Sequence, residues 1–337
     1  MDRIESLLRE IDTSMFGLEV APWFNPITPK AAGYNVHTLD VFDFETLMQR
    51  AKEDPSIDPQ TYSKLEPIDY VGSATELLSL VPAQLHGKFD YVISSHNFEH
   101  LPNPIKFLQA CEVILTDGGT IVMAVPDGRA CFDYFRPHTV TADWLEAFVE
   151  DRKQPSERQL FAAHVDLASV KGQRNNPQVS VSFDTPRAVI ENHTTLIKIL
   201  SNWKERRGKA PYLDAHCTVM TPASLRLLIE DCVALGLFSF DIQEISGTTG
   251  VEFFVRLVKR ANRPDVSPET YQSRRTELMH DIWSEQAIRA ASKYYGTAAL
   301  AEFSLIGAAN SGLLERIKFK IRLLNRARVA KRRGRSH

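Results

Sequence analysis

The histidines are the side chains of this sequence best suited to proton transfer near neutral pH. His100 follows an apolar run and a glutamate, His138 follows the aromatic segment 132–135, and His216 precedes a helix start. We treat these three as candidate catalytic bases. For His100, a structural or pocket-lining role remains an open alternative.

The spacing of His96 and His100 raises the question of a metal site. Residues four apart lie on one face of a helix, so the two imidazoles could share an ion. However, no third ligand follows at a convincing spacing, and the four cysteines are scattered without a C-x-x-C pair. We therefore expect no metal ion and four reduced cysteines.

Asp40 is the acidic residue best placed to bind a nucleotide cofactor. It ends a predicted strand, where a carboxylate could accept hydrogen bonds from the two hydroxyls of a ribose. An acid about 20 residues after a first strand also suits a nicotinamide cofactor. Asp40 alone therefore leaves the cofactor class open, and a solvated strand-end aspartate is the structural alternative.

Alternating elements would bring these residues together. Short apolar runs predict five strands, at residues 16–20, 34–39, 68–71, 89–94 and 120–125, with a helix over 104–115. Nearly continuous apolar strands separated by helices indicate a parallel sheet covered on both faces. Ligands of such sheets lie beyond the carboxyl ends of the strands, so functional residues should follow each strand.

The alternation then stops and later resumes. Residues 127–210 are predicted as an insertion or lid, with helices near 140–153 and 185–207. A helix beginning at Thr221-Pro222 and two strands at 238–245 and 251–258 follow, joined by a glycine-containing turn that predicts an antiparallel hairpin. The predicted organisation is an N-terminal helix (1–15), a main domain (16–260), a helical extension (261–310) and a tail (311–337).

Four segments together resemble one family. They read L-E-V-A-P-W-F-N-P-I (18–27), F-D-Y-V-I-S-S-H-N-F-E-H-L (89–101), G-G-T-I-V-M-A-V-P-D (118–127) and T-P-A-S-L (221–225) after His216. In order and spacing they are similar to class I S-adenosylmethionine-dependent methyltransferases, in a bacterial small-molecule or glycan variant with an N-P-I first motif. The resemblance covers residues 15–260. It implies a doubly wound, Rossmann-like α/β fold with a seven-stranded sheet and an antiparallel terminal hairpin.

The resemblance also implies cofactor contacts. Glu19 and the turn from Ala21 to Asn25 would approach the methionine end of S-adenosylmethionine, at a turn where the family usually has glycine in place of Ala21. Asp40 would bind the ribose. The remaining contacts would be with adenine (Ser73, Ala74, Thr75) and with the methionine moiety (Ser94, Ser95, His96).

The leading hypothesis is therefore methyl transfer to a hydroxyl of a small molecule or glycan precursor, as in polysaccharide biosynthesis. Methyl transfer to a hydroxyl needs a base, the role for which the histidines are candidates. Two alternatives stay open: a non-catalytic scaffold that keeps the fold and binds partners, and an NAD(P)-dependent sugar oxidoreductase. The absence of a G-x-G-x-x-G fingerprint counts against the oxidoreductase.

The near-neutral net charge of −2 conceals a basic tail. Residues 311–337 hold ten basic residues and one acid, so the tail carries +9 and the rest of the chain −11. Leucine and isoleucine at helical spacing indicate a basic amphipathic helix, suited to an anionic membrane surface or a protein partner. DNA is not expected as a partner, because the acidic body would repel phosphate. No stretch of 18 apolar residues occurs, and we expect a cytoplasmic protein whose basic tail suits docking at a membrane surface.

Overall fold

A computed structural model describes residues 2–55, 57–173, 181–207, 212–262 and 267–291. The strands are β1 Phe16–Val20, β2 Asn35–Asp40, β3 Tyr70–Val71, β4 Phe89–Ser95, β5 Leu115–Pro126, β6 Ala168–Val170, β7 Ile190–Asn192, β8 Phe240–Ile245 and β9 Glu252–Lys259. The α-helices are α1 Arg3–Leu8, α2 Phe44–Glu53, α3 Leu77–Leu80, α4 Pro104–Ile114, α5 Thr141–Val149, α6 Glu157–Val165, α7 Leu196–Arg206, α8 Pro222–Ala234 and α9 Pro268–Ala291.

The chain divides into two compact units. The first takes in Met1–Thr185 and Val189–Ile282 and holds the seven-stranded sheet. Of the second, the described residues are Pro186–Ala188 and the end of α9 from Trp283. The functional residues considered below all belong to the first unit.

Seven strands form one sheet in the order β3-β2-β1-β4-β5-β9-β8. β1 to β5 pair in parallel, whereas β9 runs antiparallel to both β5 and β8. The predicted Rossmann-like sheet with an antiparallel terminal hairpin is therefore confirmed. From β1 the chain proceeds outward to β2 and β3, while β4 and β5 lie on the other side. The strand order thus reverses between β1 and β4, and at such a point α/β sheets bind ligands.

Successive residues of the central strands point to opposite faces of the sheet, and both faces are covered. One face meets α4, α5 and α8 in a core that includes Leu18, Val92 and Trp144. On the other face, Leu7 of the N-terminal segment packs with Tyr91 and its neighbours. Gly17 is required on this face, because a Cβ there would lie 1.9 Å from Cζ of Tyr91.

The predicted insertion, residues 127–210, contains more elements than its sequence indicated. It holds α5, α6, α7 and a two-stranded antiparallel sheet of β6 and β7. The prediction of one helix over 185–207 was wrong, since only Leu196–Arg206 is an α-helix there. Ile190–Asn192 is extended because it pairs with β6, a tertiary contact that local periodicity does not reveal.

The described part of the chain begins and ends in a helix. The prediction of an N-terminal helix over 1–15 was wrong in length: α1 spans only Arg3–Leu8, and Glu10 has a left-handed φ of 67°. Asp2 caps this helix, and the Asp2 N–H donates to Glu5. At the other end, α9 is described as far as Ala291 within the predicted helical extension (261–310). The rest of that extension and the predicted tail (311–337) lie outside the described residues. Within the described residues, no helix combines the length and the apolar composition that crossing a bilayer requires.

Candidate functional site

The carboxyl ends of β1, β2 and β4 bring most of the predicted site residues to one edge of the sheet. β1 lies between the other two strands, with Glu19 registered against Thr38 on one side and Ile93 on the other. The loops after these strands begin at Ala21, Val41 and His96. The site is therefore built at the point where the strand order reverses.

The turn after β1 has the backbone of a glycine turn without its glycines. Ala21 has φ 55° and Trp23 has φ 47°, both in the left-handed region that favours glycine. The Ala21 N–H donates to the carbonyl of Leu39, which fixes the turn to β2. Trp23 packs with Phe24, and the Arg50 guanidinium lies 5.8 Å from its ring centre. The large Trp23 side chain is therefore accommodated against α2 while the turn keeps its shape.

Glu19 holds this loop from the inside of the protein. Its side chain accepts hydrogen bonds from the N–H of Ile27 (2.7 Å), the N–H of Thr28 (2.8 Å) and the Thr28 hydroxyl (2.6 Å). Burial raises the pKa of Glu19, against the effect of these donors. The structure thus places Glu19 as the anchor of the loop, while Asn25 lies exposed on it.

Asp40 is buried at the end of β2, with 3% of its surface exposed. Its Oδ1 accepts a hydrogen bond from the Phe42 N–H at 3.1 Å, and burial raises its pKa. The N–H groups of Phe42, Val41 and Trp23 act against that rise. A carboxylate offers about four acceptor positions, so an acceptor position remains for a hydroxyl donor. The donor and acceptor chemistry of this strand end therefore fits a ribose.

The loop after β3 supplies a short 3-10 helix, Ala74–Glu76. The hydroxyls of Ser73 and Thr75 are 2.8 Å apart, and Ala74 packs into the main core. Thr75 is itself buried. The side chain of Ala74 is thus structural, and the hydroxyl pair is the polar feature of this loop.

At the end of β4, a chain of charged groups links the site to α1 and β9. Arg3 donates to Glu252 at 2.7 Å and to the Ser95 hydroxyl at 2.6 Å, and Glu252 also binds Nε2 of His96 at 2.8 Å. Burial disfavours the His96 cation, but the carboxylates of Glu252 and Glu99 outweigh it and raise the pKa of His96 to about 9. His96 also has a left-handed φ of 49°, a strain typical of functional sites. The preceding Ser94 is buried.

A cluster of one carboxylate and two imidazoles follows directly. Glu99, fully buried, lies with its Oε1 3.9 Å from Nε2 of His100 and 4.0 Å from Nε2 of His216. One ligand atom of each residue falls within 4.8 Å of the others, the geometry of a metal-ligand group. Burial raises the pKa of Glu99, but the neighbouring histidines outweigh it and lower that pKa, which favours the anion. We call these three residues the Glu99 cluster.

Each imidazole of the Glu99 cluster is held by its own carboxylate. Nδ1 of His216 lies 2.5 Å from Asp133, and Nδ1 of His100 lies 2.9 Å from Asp214. The two rings pack edge to face with centres 4.7 Å apart. With Nδ1 engaged in this way, Nε2 of each ring is the atom directed at Glu99.

The distant His216 reaches this place through backbone hydrogen bonds. The carbonyl of Glu99 accepts the N–H of Cys217 at 2.6 Å and of Thr218 at 3.0 Å. Arg136 donates to the carbonyl of His216 and also pairs with Asp133. The insertion and the segment before α8 therefore complete a site that β4 begins.

His138 is not part of this group. It is half-buried on the segment before α5, and its pKa is lowered by burial alone. Within the described residues we find no carboxylate that orients its ring. Of the three candidate bases, the structure thus brings His100 and His216 together and leaves His138 apart. Sequence reasoning missed the pairing of Asp133 and Asp214 with these histidines, because each pair joins residues far apart in sequence.

A separate cavity of about 380 Å³ lies between α6 and α7. Its lining is aromatic (Phe161, Trp203, Tyr212) and carries both basic (Arg152, Arg206, Arg207) and acidic (Glu150, Glu157) side chains. The rings of Phe161 and Trp203 pack edge to face at 5.6 Å. The cavity contains none of the strand-end residues, and Tyr212 connects it to Asp214 through a long contact of 3.4 Å.

Comparison with known proteins identifies a family for this chain. A family model described as a methyltransferase domain matches residues 5–232. A search of curated protein sequences gives no match.

Among solved structures, similarity is remote. A protein described as a zinc-dependent alcohol dehydrogenase from Rhodobacter sphaeroides has 14% identity and a TM-score of 0.42, with 77% of this chain and 91% of that chain covered. The S-adenosylmethionine-dependent methyltransferase of Aquifex aeolicus has 12% identity and a TM-score of 0.36, covering 76% and 89%. That of Methanosarcina mazei has 14% and 0.37, covering 78% and 99%. TM-scores this low carry no functional conclusion.

Proposed function

Because the chain belongs to the methyltransferase-domain family, with S-adenosylmethionine as its cofactor, we propose that it transfers a methyl group to a hydroxyl of a small molecule or glycan precursor. The observation that carries this proposal is the Glu99 cluster at the end of β4. An acceptor hydroxyl must lose its proton as the new bond forms, and two oriented imidazoles beside a buried carboxylate suit that task.

The residues around the strand ends fit the cofactor. Asp40 would accept from the ribose hydroxyls, the left-handed turn from Ala21 would approach the methionine end, and the hydroxyls of Ser73 and Thr75 would lie at the adenine end. When bound, S-adenosylmethionine supplies a methyl group on a sulfonium: a C–O bond forms as the C–S bond breaks, leaving a neutral thioether. The chain's own residues orient the two reactants and remove the hydroxyl proton.

The Glu99 cluster is placed to handle that proton because its parts are fixed in advance. Asp133 holds the His216 ring and Asp214 holds the His100 ring, so neither imidazole has to reorient during the reaction. Glu252 and His96 brace the strand end next to the cluster. Glu99 and His216 are buried, which limits the access of water on their side of the cluster, while His100 remains partly exposed.

The aromatic cavity between α6 and α7 supports a glycan as the larger part of the acceptor. Sugar rings stack on aromatic side chains, and the cavity is lined by the rings of Phe161, Trp203 and Tyr212, with the Arg207 guanidinium 5.1 Å from the Trp203 ring centre. The segment from Tyr212 to Asp214 connects this cavity to the Glu99 cluster. A Trp203→Ala variant should therefore raise KM for the acceptor and leave kcat and cofactor affinity near wild type.

Calorimetric titration with S-adenosylmethionine and a product assay test the proposal together. We expect binding, and formation of S-adenosylhomocysteine with hydroxyl acceptors but not with amines or thiols. Asp40→Asn should weaken cofactor binding by about 1–3 kcal/mol, or about 5- to 150-fold in Kd, through the weakened charged acceptor. No binding at millimolar cofactor, or transfer to nitrogen or sulfur alone, would contradict the proposal.

A further inference from the structure

Glu99 is a buried anion without hydrogen-bond donors. Its carboxylate is fully buried, yet within the described residues neither oxygen accepts a hydrogen bond. The nearest donor atom, Nδ1 of His96, is 3.5 Å away, longer than a normal hydrogen bond. The charged groups around it, the rings of His96, His100 and His216, stand 3.5, 3.9 and 4.0 Å from its Oε1 and leave it without a hydrogen bond. A buried carboxylate without a hydrogen bond is costly and rare, so a ligand at closer range would stabilise it.

The distances from Glu99 to the two imidazoles indicate what kind of ligand would fit between them. Nε2 of His100 and Nε2 of His216 stand 3.9 and 4.0 Å from the same Oε1 of Glu99. A direct ion pair would close these gaps to about 2.7–2.9 Å. Ligands of a tetrahedral zinc ion at about 2.0–2.1 Å stand roughly 3.4 Å apart, so a small inward shift would complete such a shell.

The carboxylates that hold the two histidines also favour a metal site. A metal-binding histidine usually donates its other ring nitrogen to a carboxylate, which fixes the tautomer and strengthens the ligand. Both histidines have this arrangement, His216 through Asp133 and His100 through Asp214. The Glu99 cluster thus has two histidines, each oriented by its own carboxylate, with Nε2 directed at Glu99. This is the usual arrangement of histidine ligands at a metal site.

From this geometry we infer that Glu99, His100 and His216 bind a divalent transition-metal ion, with Zn²⁺ as the best chemical match. Two imidazoles and one carboxylate suit zinc and its first-row neighbours, whereas Mg²⁺ and Ca²⁺ prefer oxygen ligands. Three protein ligands leave a coordination position open, as in catalytic rather than structural zinc sites.

The open position has a use that rests on the proposed function. With the ion bound, Nε2 of His100 and Nε2 of His216 serve as metal ligands and no longer as bases. A hydroxyl that coordinates a divalent ion has a lowered pKa, so it can release its proton to water on the partly exposed His100 side of the site. The oxygen then carries the electron pair that forms the new C–O bond. The ion thus takes the acceptor hydroxyl, and the protein ligands set where that oxygen lies.

Metal binding itself is tested without any methyl acceptor. The full chain, stripped with a chelator, is titrated with Zn²⁺, Co²⁺ and Mg²⁺, and the absorption of bound Co²⁺ reports nitrogen ligands. We expect one Zn²⁺ or Co²⁺ per chain and no comparable Mg²⁺ binding. Binding of Mg²⁺ alone, or of no ion, would overturn the inference.

Variants then assign the ligands. Asp214→Asn should weaken Zn²⁺ binding about 10-fold, the lower end of the range for outer partners, because Asp214 is partly exposed. Glu99→Gln should weaken it more and change the Co²⁺ spectrum. The matched control is His164→Ala, an exposed histidine on α6, which should bind like wild type. Unchanged binding in Glu99→Gln would refute the assignment even if another variant failed to fold.

The role in catalysis separates from the proposed function. Methyl transfer that stops on chelation and returns with Zn²⁺ supports both. Undiminished transfer by the stripped enzyme would overturn the role of the ion and leave the proposed function intact. Stoichiometric binding of Zn²⁺ in a chain that methylates no hydroxyl would support the metal site and refute the proposed function.

Discussion

Replacing Glu19 by glutamine distinguishes an anchor of the loop from a direct contact of the cofactor. The carboxylate accepts three hydrogen bonds from Ile27 and Thr28, within 2.6–2.8 Å. Glutamine keeps a single acceptor oxygen. In its better orientation that oxygen stays opposite Thr28, so the N–H of Ile27 faces an amide NH₂ and loses its partner.

The magnitude follows from these bonds. Each hydrogen bond to a charged group contributes about 1.5–3 kcal/mol, and the two retained bonds also weaken when the charge is lost. A neutral side chain removes the cost of a buried charge, which is an opposing effect reflected in the raised pKa of Glu19. We expect Glu19→Gln to lower the free energy of unfolding by about 2–3 kcal/mol.

Urea denaturation and calorimetric titration with the cofactor measure the two effects separately. Thr28→Val, which removes only the hydroxyl, is the matched control and should cost about 1–2 kcal/mol. Both folded variants should bind S-adenosylmethionine within a few-fold of wild type. Wild-type stability together with a large loss of cofactor affinity in Glu19→Gln would refute the anchoring argument and make Glu19 a direct contact.

Three further predictions concern other parts of the first unit. Asn103→Ala removes the buried cap of α4 and a hydrogen bond to a carbonyl of α5, so it should lower the free energy of unfolding in urea by about 2–3 kcal/mol. Asp43→Ala, at the exposed cap of α2, is the control and should lower it by about 1 kcal/mol; equal losses in the two variants would contradict the argument. Arg3→Ala should cost about 1 kcal/mol, because its ion pair is partly exposed, and should speed amide exchange in α1; unchanged exchange would show that α1 is held by packing alone. Partial burial raises the pKa of Asp69, but hydrogen bonds from Lys30 and a threonine outweigh it and lower that pKa. The ionised Asp69 therefore stabilises the fold above the unfolded pKa of about 3.9, and this contribution is lost as the pH falls further. Asp69→Asn should make stability less sensitive to acid, and an acid denaturation profile identical to that of the wild type would contradict this.

The sequence predicted the sheet because its signals are local. Each of the five parallel strands is an apolar run bounded by turn residues, and the observed strands begin within two residues of the prediction, except that β5 starts earlier, at Leu115. The helix at Pro222 was predicted within a residue because Thr221 caps it and proline starts it. Local patterns of this kind need no tertiary information.

The Glu99 cluster could not be predicted in the same way. Glu99 and His100 stand in a quoted motif, but His216 reaches them only through N–H groups that bind the carbonyl of Glu99. Asp133 meets His216 across 83 residues of sequence. No periodicity records such contacts, so His96 and His100 were considered as the metal pair although His96 binds Glu252. The residue that completes the Glu99 cluster, His216, is distant in sequence from the motif that holds Glu99 and His100.

The salt bridge between Arg3 and Glu252 has a consequence for biosynthesis. Its partners are 249 residues apart, and Glu252 begins the strand that fills the sheet between β5 and β8. During synthesis, β1 to β5 emerge from the ribosome long before that strand. Until then His96 lacks its hydrogen-bond partner Glu252, and one edge of β5 is exposed to wrong pairing. The nascent chain therefore holds an unfinished sheet, and competence for catalysis is acquired only near the end of translation of this domain.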